Sequence, residues 1–330
     1  MWEVLAVARF CLALIVAAIH VKLYFGSCSD PWRMIDTVGH FNSQAAVIGF
    51  LLISGFSISH SLVSSPKRYV WRRFVRIYPL YLTAIFLTCV WGIGAEISGP
   101  EGDIHHNWPQ LSQILGQALM LDGIVTRTLP GNSALWTLGL EWWCYMAAPL
   151  LLAMKERLLL PIIMALAVGH LSWIFLGHRL GGHYIHPYWG LKIWFMAVFW
   201  VLGFWYYLNR SRARASLMLV AAVWLLTGLN QDNLEGHSQT TLIMACLALI
   251  TGDFIVVPPW LSSFCKGLGN VSYPLYLFHI PVFNLLYQKL AIRSGPALIF
   301  GAVVAALLAR LVIEIPVKRL LSSARWRRAS

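Results

Sequence analysis

The sequence predicts an all-α integral membrane protein of about ten transmembrane helices, with both termini in the cytoplasm. Three observations carry that prediction. Of the 330 residues, 58% are apolar and only 12% charged, with a mean hydropathy of +0.67; a soluble domain carries about 45–50% apolar and roughly 25% charged residues. Apolar runs long enough to span a bilayer recur along the whole chain, and the basic residues collect in alternate connections between them. The same composition excludes intrinsic disorder, which needs low hydrophobicity and high charge. About ten spans of about 20 residues leave only connections and tails. Residues 1–316 therefore read as one transmembrane domain and 317–330 as a basic cytoplasmic tail.

The apolar runs lie near 4–24, 44–63, 77–97, 134–153, 157–176, 189–208, 215–230, 240–257, 272–292 and 297–316. The first is a retained helix rather than a signal peptide, because Arg9 sits inside it and no small-x-small cleavage site follows. The stretch 109–125 is shorter and carries Gln113, Gln117 and Asp122, so it reads as a re-entrant or interfacial helix. With Ser64 to Arg76 in the cytoplasm, most of the 25 Lys and Arg fall on cytoplasmic segments. Only Arg33, Arg127, Arg179 and Arg293 fall outside. That bias is the signal that orients spans. The net charge of +12 is thus a topology signal, and nucleic acid is excluded as a partner. The six cysteines are scattered, without a Cys-x-x-Cys pair, and read as small core hydrophobes rather than a disulfide frame or a metal site.

Ionisable groups within spans are costly and mark candidate functional positions. Here they are Arg9, His20, Glu141, Asp253, His279, Arg310 and Glu314. Arg9 and His20 are eleven positions apart, about three turns and about 16 Å along one helix face. Arg9 lies in the inner third of its span and His20 near the outer side. Glu141 enters the fourth span to a similar depth as His20, where a carboxylate could orient an imidazole. Arg9 could instead snorkel to the headgroups, and His20 could be an interfacial polar residue. Arg310 and Glu314, one turn apart, read as a structural pair. Asp253 lies close enough to a span end to be solvated. For His279 the structural and functional readings are even.

Residues 64–79 hold five basic residues within ten positions before Pro79, read as the start of a helix. Arg73 and Arg76 share one face of a turn, and two guanidinium forks suit a phosphate. Arg9 lies at a depth to join them. The reading is a phosphate-bearing donor on the cytoplasmic side whose reactive end reaches toward His20.

Several motifs, in order along the chain, resemble the membrane-bound acyltransferase 3 family. They are Arg9 with His20; Gly49 to Phe56, ending Ser-Gly-Phe; Arg73-Phe74-Val75-Arg76-Ile77-Tyr78-Pro79; Leu135 to Glu141; Ser272 to His279 with Pro281; and Glu314-Ile315-Pro316. Ile48 and Thr137 depart from the family's usual Asp and Ser. The resemblance implies an enzyme that moves an acyl group, usually acetyl, from cytoplasmic acyl-CoA to a hydroxyl of a cell-surface glycan or glycolipid. It implies His20 as general base or transient acyl carrier, Glu141 as its partner, and Arg9, Arg73 and Arg76 as donor-binding residues, with no metal and no permanently bound cofactor. The expected place is the cell membrane, a bacterial plasma membrane. Acceptor contacts are expected from Gly177 to Trp189, which holds His178, His183, His186, Tyr184 and Tyr188. The alternative is a transporter or flippase that uses Arg9, His20 and Glu141 as a proton or substrate path.

Overall fold

The computed structural model describes the chain apart from residues 27, 32, 93–95, 99–103, 107–108, 155, 180–190, 230–233, 235 and 327–330. It is a helical bundle with one short antiparallel ribbon, β1 (Glu96–Ser98) against β2 (Ile104–His106). Each of the ten predicted apolar runs is helical over most of its length. They become α1 (Trp2–Tyr24), α3 (Ser43–Ser64), α4 (Tyr69–Gly92), α6 (Trp136–Ala153) and α7 (Glu156–Arg179). The later ones are α8 (Leu191–Asn209), α9 (Ala213–Gly228), α10 (Ser238–Thr251), α11 (Pro259–Asn284) and α12 (Gly295–Ala309). The six-residue α2 (Met34–Gly39) and the eight-residue α5 (Leu111–Ala118) join them. Five of the described helices are long and apolar enough to cross a membrane on length and composition alone.

The stretch 109–125 makes no further span. At eight residues α5 is about 12 Å long, and the chain then turns back through Leu119 to Thr126. Leu111, Leu115 and Leu119 are exposed on one face while Gly116 and Gln117 are buried on the other. That one-sided pattern agrees with an interfacial element.

Three local expectations are corrected. Pro79 does not begin a helix: α4 starts at Tyr69, so the whole arginine element is helical and Pro79 lies inside it. Around the proline the Tyr273 hydroxyl donates to the Ile77 carbonyl at 3.1 Å and Thr83 Oγ1 to the Pro79 carbonyl at 2.8 Å. Arg310 and Glu314 do not pair. Residues 310–314 form a π-helical turn, and Glu314 pairs instead with Lys318 one α-turn on. The final apolar run continues through that turn into α13 (Ile315–Trp326), so most of the expected tail is helical. The run 240–257 breaks at Thr251, and Asp253 leaves the helix to bind Arg210 at 3.2 Å. In compensation α11 begins thirteen residues before its apolar run, at Pro258-Pro259, through a polar turn containing Ser262, Ser263 and Lys266.

The connections separate to two ends of the bundle. At one end Arg210 meets Met1 and Asp253, and Glu3 meets Ser262 and Lys266 at 2.8 and 3.1 Å. At the other, Ser29 bridges Ser294, the His237 amide donates to the His40 carbonyl at 2.7 Å, and Tyr24 bonds Ser133 at 2.8 Å. In the exposed α2 connection, the Lys22 ammonium 3.0 Å from Asp36 holds that carboxyl below the usual carboxylate range. The connections named at each end are among those expected, from the basic residues, to share a side.

Helix α1 runs through the middle, packed along α11 and flanked by α3, α10 and α12. The closest pair is α3 with α8, where two glycines let the backbones meet. A Cβ on Gly55 would stand 1.9 Å from the Trp200 carbonyl oxygen, and one on Gly203 would stand 2.0 Å from that of Leu52. Gly55→Ala or Gly203→Ala should therefore force the helices apart, at about 1–3 kcal/mol or more for overpacking. The expected result is a clear drop in thermal stability of the detergent-solubilised protein. Gly228→Ala, with nothing within 4 Å of its Cβ, should leave stability unchanged. Equal behaviour of the three variants would contradict the α3–α8 contact.

Candidate functional site

Helices α1, α3, α4, α6 and α11 surround a cavity of about 100 Å³. Arg9, Arg73, Arg76 and Glu141 all line it, together with Ser54, Tyr145, Ser272, Tyr273 and Tyr276. Arg73 and Arg76 face it together because α4 is already helical at their positions, which puts residues three apart on one face. Arg9 enters from two turns into α1. Arg73 is steadied by Ser61, whose Oγ accepts from Nη2 at 2.5 Å, and by the Tyr69 ring 5.5 Å from its guanidinium carbon. The Nε atoms of both Arg9 and Arg73 are buried without a hydrogen-bond partner among the described residues. Leaving such donors unmatched is costly, and an anionic group reaching them would lower that cost.

Glu141 belongs to this cluster. Its carboxylate lies against the Ser54 and Tyr145 hydroxyls, with Arg76 and Arg9 as its cationic neighbours. Ser54 and Tyr145 bond each other at 3.0 Å, and the Trp200 indole donates to Ser54 at 3.3 Å. The expected partnership of Glu141 with His20 is absent. Depth along the bundle axis suggested it, but depth does not fix lateral position. Helix α6 packs on α3, α8 and α4, while the His20 face of α1 meets α11.

The partner of His20 is His279. His20 Nδ1 lies 2.7 Å from His279 Nε2, and His279 Nδ1 lies 3.1 Å from the Leu275 carbonyl oxygen. His279 is fully buried, whereas His20 is partly accessible. Between this pair and the arginine cavity stands Tyr276. Its ring lines the cavity, its centroid is 6.0 Å from that of His279, and its hydroxyl accepts from Thr137 Oγ1 at 2.9 Å. One turn outward from His20, Tyr24 bonds Ser133. The structure thus gathers the three predicted arginines with Glu141 and leaves His20 outside the lining of that cavity. Ser54, Tyr145 and Tyr276 were not singled out beforehand, although all lie in or beside the quoted motifs. Ordinary hydroxyl side chains carry no charge to draw notice. The loop expected to contact acceptor lies, from residue 180 onward, outside the described residues. Among the described residues no group of three or more His, Cys, Asp or Glu side chains is placed to hold a metal.

Residues 3–314 match the family described as the acyltransferase domain, acyltransferase 3. The chain belongs to the acyltransferase 3 family. A protein of Acidianus two-tailed virus, provisionally named an acetyltransferase, is 24% identical over 265 residues, covering 76% of this chain and 74% of its own length. No solved structure matches the chain. This acyltransferase is a membrane protein by its apolar helices and its family, and family membership decides for the enzyme over the transporter. The matched region takes in every helix that lines the cavity and ends before α13.

The position of Glu141 gives a test. Neutralising it leaves Arg9 and Arg76 without their neighbouring anion, so Glu141→Gln should lose roughly 1–3 kcal/mol of stability. Because a bound anion replaces the missing charge, adding pyrophosphate should raise the melting temperature more in the variant than in the parent protein. Equal shifts in both, read by thermal unfolding in detergent, would place the carboxylate outside the arginine cluster.

Proposed function

We propose that this acyltransferase moves an acyl group, acetyl for preference, from acyl-CoA on the cytoplasmic side to a hydroxyl of a cell-surface or exported glycan or glycolipid. Arg9, Arg73 and Arg76 hold the donor phosphates; His20 is the general base or transient acyl carrier. The observation that carries this reading is the convergence of three arginines in one cavity, two of them with orphaned Nε donors, below a histidine on the same helix as Arg9. Guanidinium forks match phosphate geometry, and a long flexible donor arm suits a reactive position about 16 Å farther along α1. Glu141 serves the arginine cluster rather than the imidazole. In this proposal residues 1–316 form a ten-span domain of the cell membrane, with both termini and the basic 317–330 segment in the cytoplasm. The separation of the connections to two ends and the basic residues at one of them support that orientation.

One experiment separates binding from chemistry. Purified protein is titrated with acetyl-CoA by calorimetry, and transfer to a candidate glycan acceptor is followed by CoA release. Charge-assisted contacts contribute about 1.5–3 kcal/mol each. Arg73→Ala/Arg76→Ala should therefore weaken donor affinity by at least about 100-fold. His20→Ala should leave affinity within about twofold and lower turnover by at least roughly 10²–10⁴-fold, the usual contribution of a general base. Unchanged affinity in the folded arginine variant returns those residues to a purely topological role, and near-normal turnover in His20→Ala removes His20 from the chemistry.

The orientation is tested separately. A cysteine introduced at His105, in the β1–β2 ribbon, should react with an impermeant maleimide in intact cells. Reaction only after lysis would overturn the ten-span arrangement.

A further inference from the structure

The buried histidine of α11 has a role that follows from the geometry of its contact with α1. The centroids of the His20 and His279 rings are 5.0 Å apart and their planes are 7° from parallel, while the bonded nitrogens are 2.7 Å apart. The centroid separation equals the nitrogen–nitrogen distance plus one ring radius at each end. Both nitrogens therefore lie on the line of centres, and the rings are coplanar and joined edge to edge rather than stacked face to face. That is the geometry of a linear hydrogen bond between a ring N–H and an in-plane lone pair.

The direction of this bond is fixed from outside the pair. The Leu275 oxygen is a carbonyl and can only accept, so His279 Nδ1 carries a hydrogen. Among the described residues no carboxylate adjoins either ring, and the neutral form of His279 then has its bare lone pair at Nε2. The 2.7 Å contact requires one hydrogen, which must come from His20 Nδ1. His20 is left with Nε2 bare, on the part of its ring turned away from His279, and Nε2 has no hydrogen-bond partner among the described residues. We infer that His279 is a positioning residue that holds His20 in the Nδ1–H tautomer, so that Nε2 is the reacting nitrogen. Full burial keeps His279 itself away from substrate.

This inference rests on the proposed role of His20 and sharpens it. When His20 acts as base, the acceptor hydroxyl proton moves to Nε2 as its oxygen bonds to the thioester carbonyl carbon. Collapse of the tetrahedral intermediate then breaks the carbon–sulfur bond, and the departing thiolate takes the Nε2 proton. Throughout, Nδ1–H stays on His20 and donates to His279, which stabilises the transient imidazolium. An acyl-carrier role needs the same bare Nε2 for attack on the thioester. The carbonyl of Leu275, one helical turn below, therefore sets the tautomer of a ring on another helix through one intervening imidazole.

The test compares His279→Gln and His279→Leu in the purified full chain. A glutamine amide oxygen can occupy the place of Nε2 and accept from His20; leucine has similar bulk and no acceptor. With leucine, His20 loses the partner that favours Nδ1–H. Turnover should then fall by at least about 100-fold, the scale on which a wrong tautomer or a lost base acts. Acetyl-CoA affinity should stay within about twofold, and glutamine should restore turnover to within about tenfold of the parent. Retained turnover in the leucine variant, or a folded glutamine variant as inactive as leucine, overturns the inference. A second readout does not depend on either variant folding. The ¹⁵N-histidine spectrum of the parent protein minus that of His20→Ala should show the lost ring with a protonated Nδ1 and a bare Nε2, and the opposite assignment overturns it. Turnover in His20→Ala distinguishes the two levels: an active His20→Ala defeats the base reading itself, whereas an inactive one beside a normal His279→Leu defeats only the positioning role.

Discussion

A guanidinium inside an apolar bundle must be matched, and much of this structure follows from matching three of them. Desolvated cations are stabilised only by hydrogen bonds and opposite charge, and among the residues that line the cavity one carboxylate faces three arginines. Glu141, with Ser54 and Tyr145 behind it, meets part of that requirement. The unmatched remainder is the buried Nε atoms of Arg9 and Arg73, on side chains that line the cavity. Several irregular features support the cluster. Helix α4 accepts an internal proline so that its arginines are already helical when they reach the cavity. Helix α3, which carries Ser54, is fixed against α8 by backbone contact at two glycines, and the Trp200 indole on α8 holds the Ser54 hydroxyl.

The features legible in the sequence are those carried by hydropathy, charge and helical spacing. Ten apolar runs gave the positions of the long helices, because a helix that must bury or expose apolar surface all round is written as an unbroken run. The spacing of Arg73 and Arg76 placed them on one face, and the depth of Arg9 brought it level with them. Pairing across helices was not legible. Glu141 was assigned to His20 on depth alone, yet at a given depth each helix has several neighbours, and the packing of α1 on α11 selects His279. Helix ends were legible only where hydropathy changes at the same residue as backbone geometry. The polar first turns of α11 hid its start, the apolar residues after Thr251 hid the end of α10, and Lys318 took the Glu314 carboxylate expected to pair with Arg310.

The cavity and the histidine pair are neighbours but not one space. Tyr276 and His279 are three positions apart on α11 and so share a face. The same helix therefore supplies the wall that closes the cavity and the ring that holds His20. Thr137 on α6, the third residue of the Leu135 to Glu141 segment, anchors the Tyr276 hydroxyl. A departure from the family's usual serine at this position keeps the hydroxyl that makes the bond, which explains why Thr137 is compatible with the same arrangement.

On the proposed reading, donor and acceptor approach from opposite sides, and α1 sets the distance between them. Arg9 and His20 are fixed relative to one another by about three turns of one rigid helix, so the spacing between phosphate site and reacting nitrogen does not depend on how neighbouring helices shift. Two neutral hydroxyl pairs flank the reacting ring along the bundle: Tyr276 with Thr137 on the side of the cavity, and Tyr24 with Ser133 one turn beyond His20. Each contributes about 1 kcal/mol net. The contact between His279 and Leu275 is itself fully buried, so on this reading the ring that sets the tautomer is shielded while the ring that reacts is partly accessible.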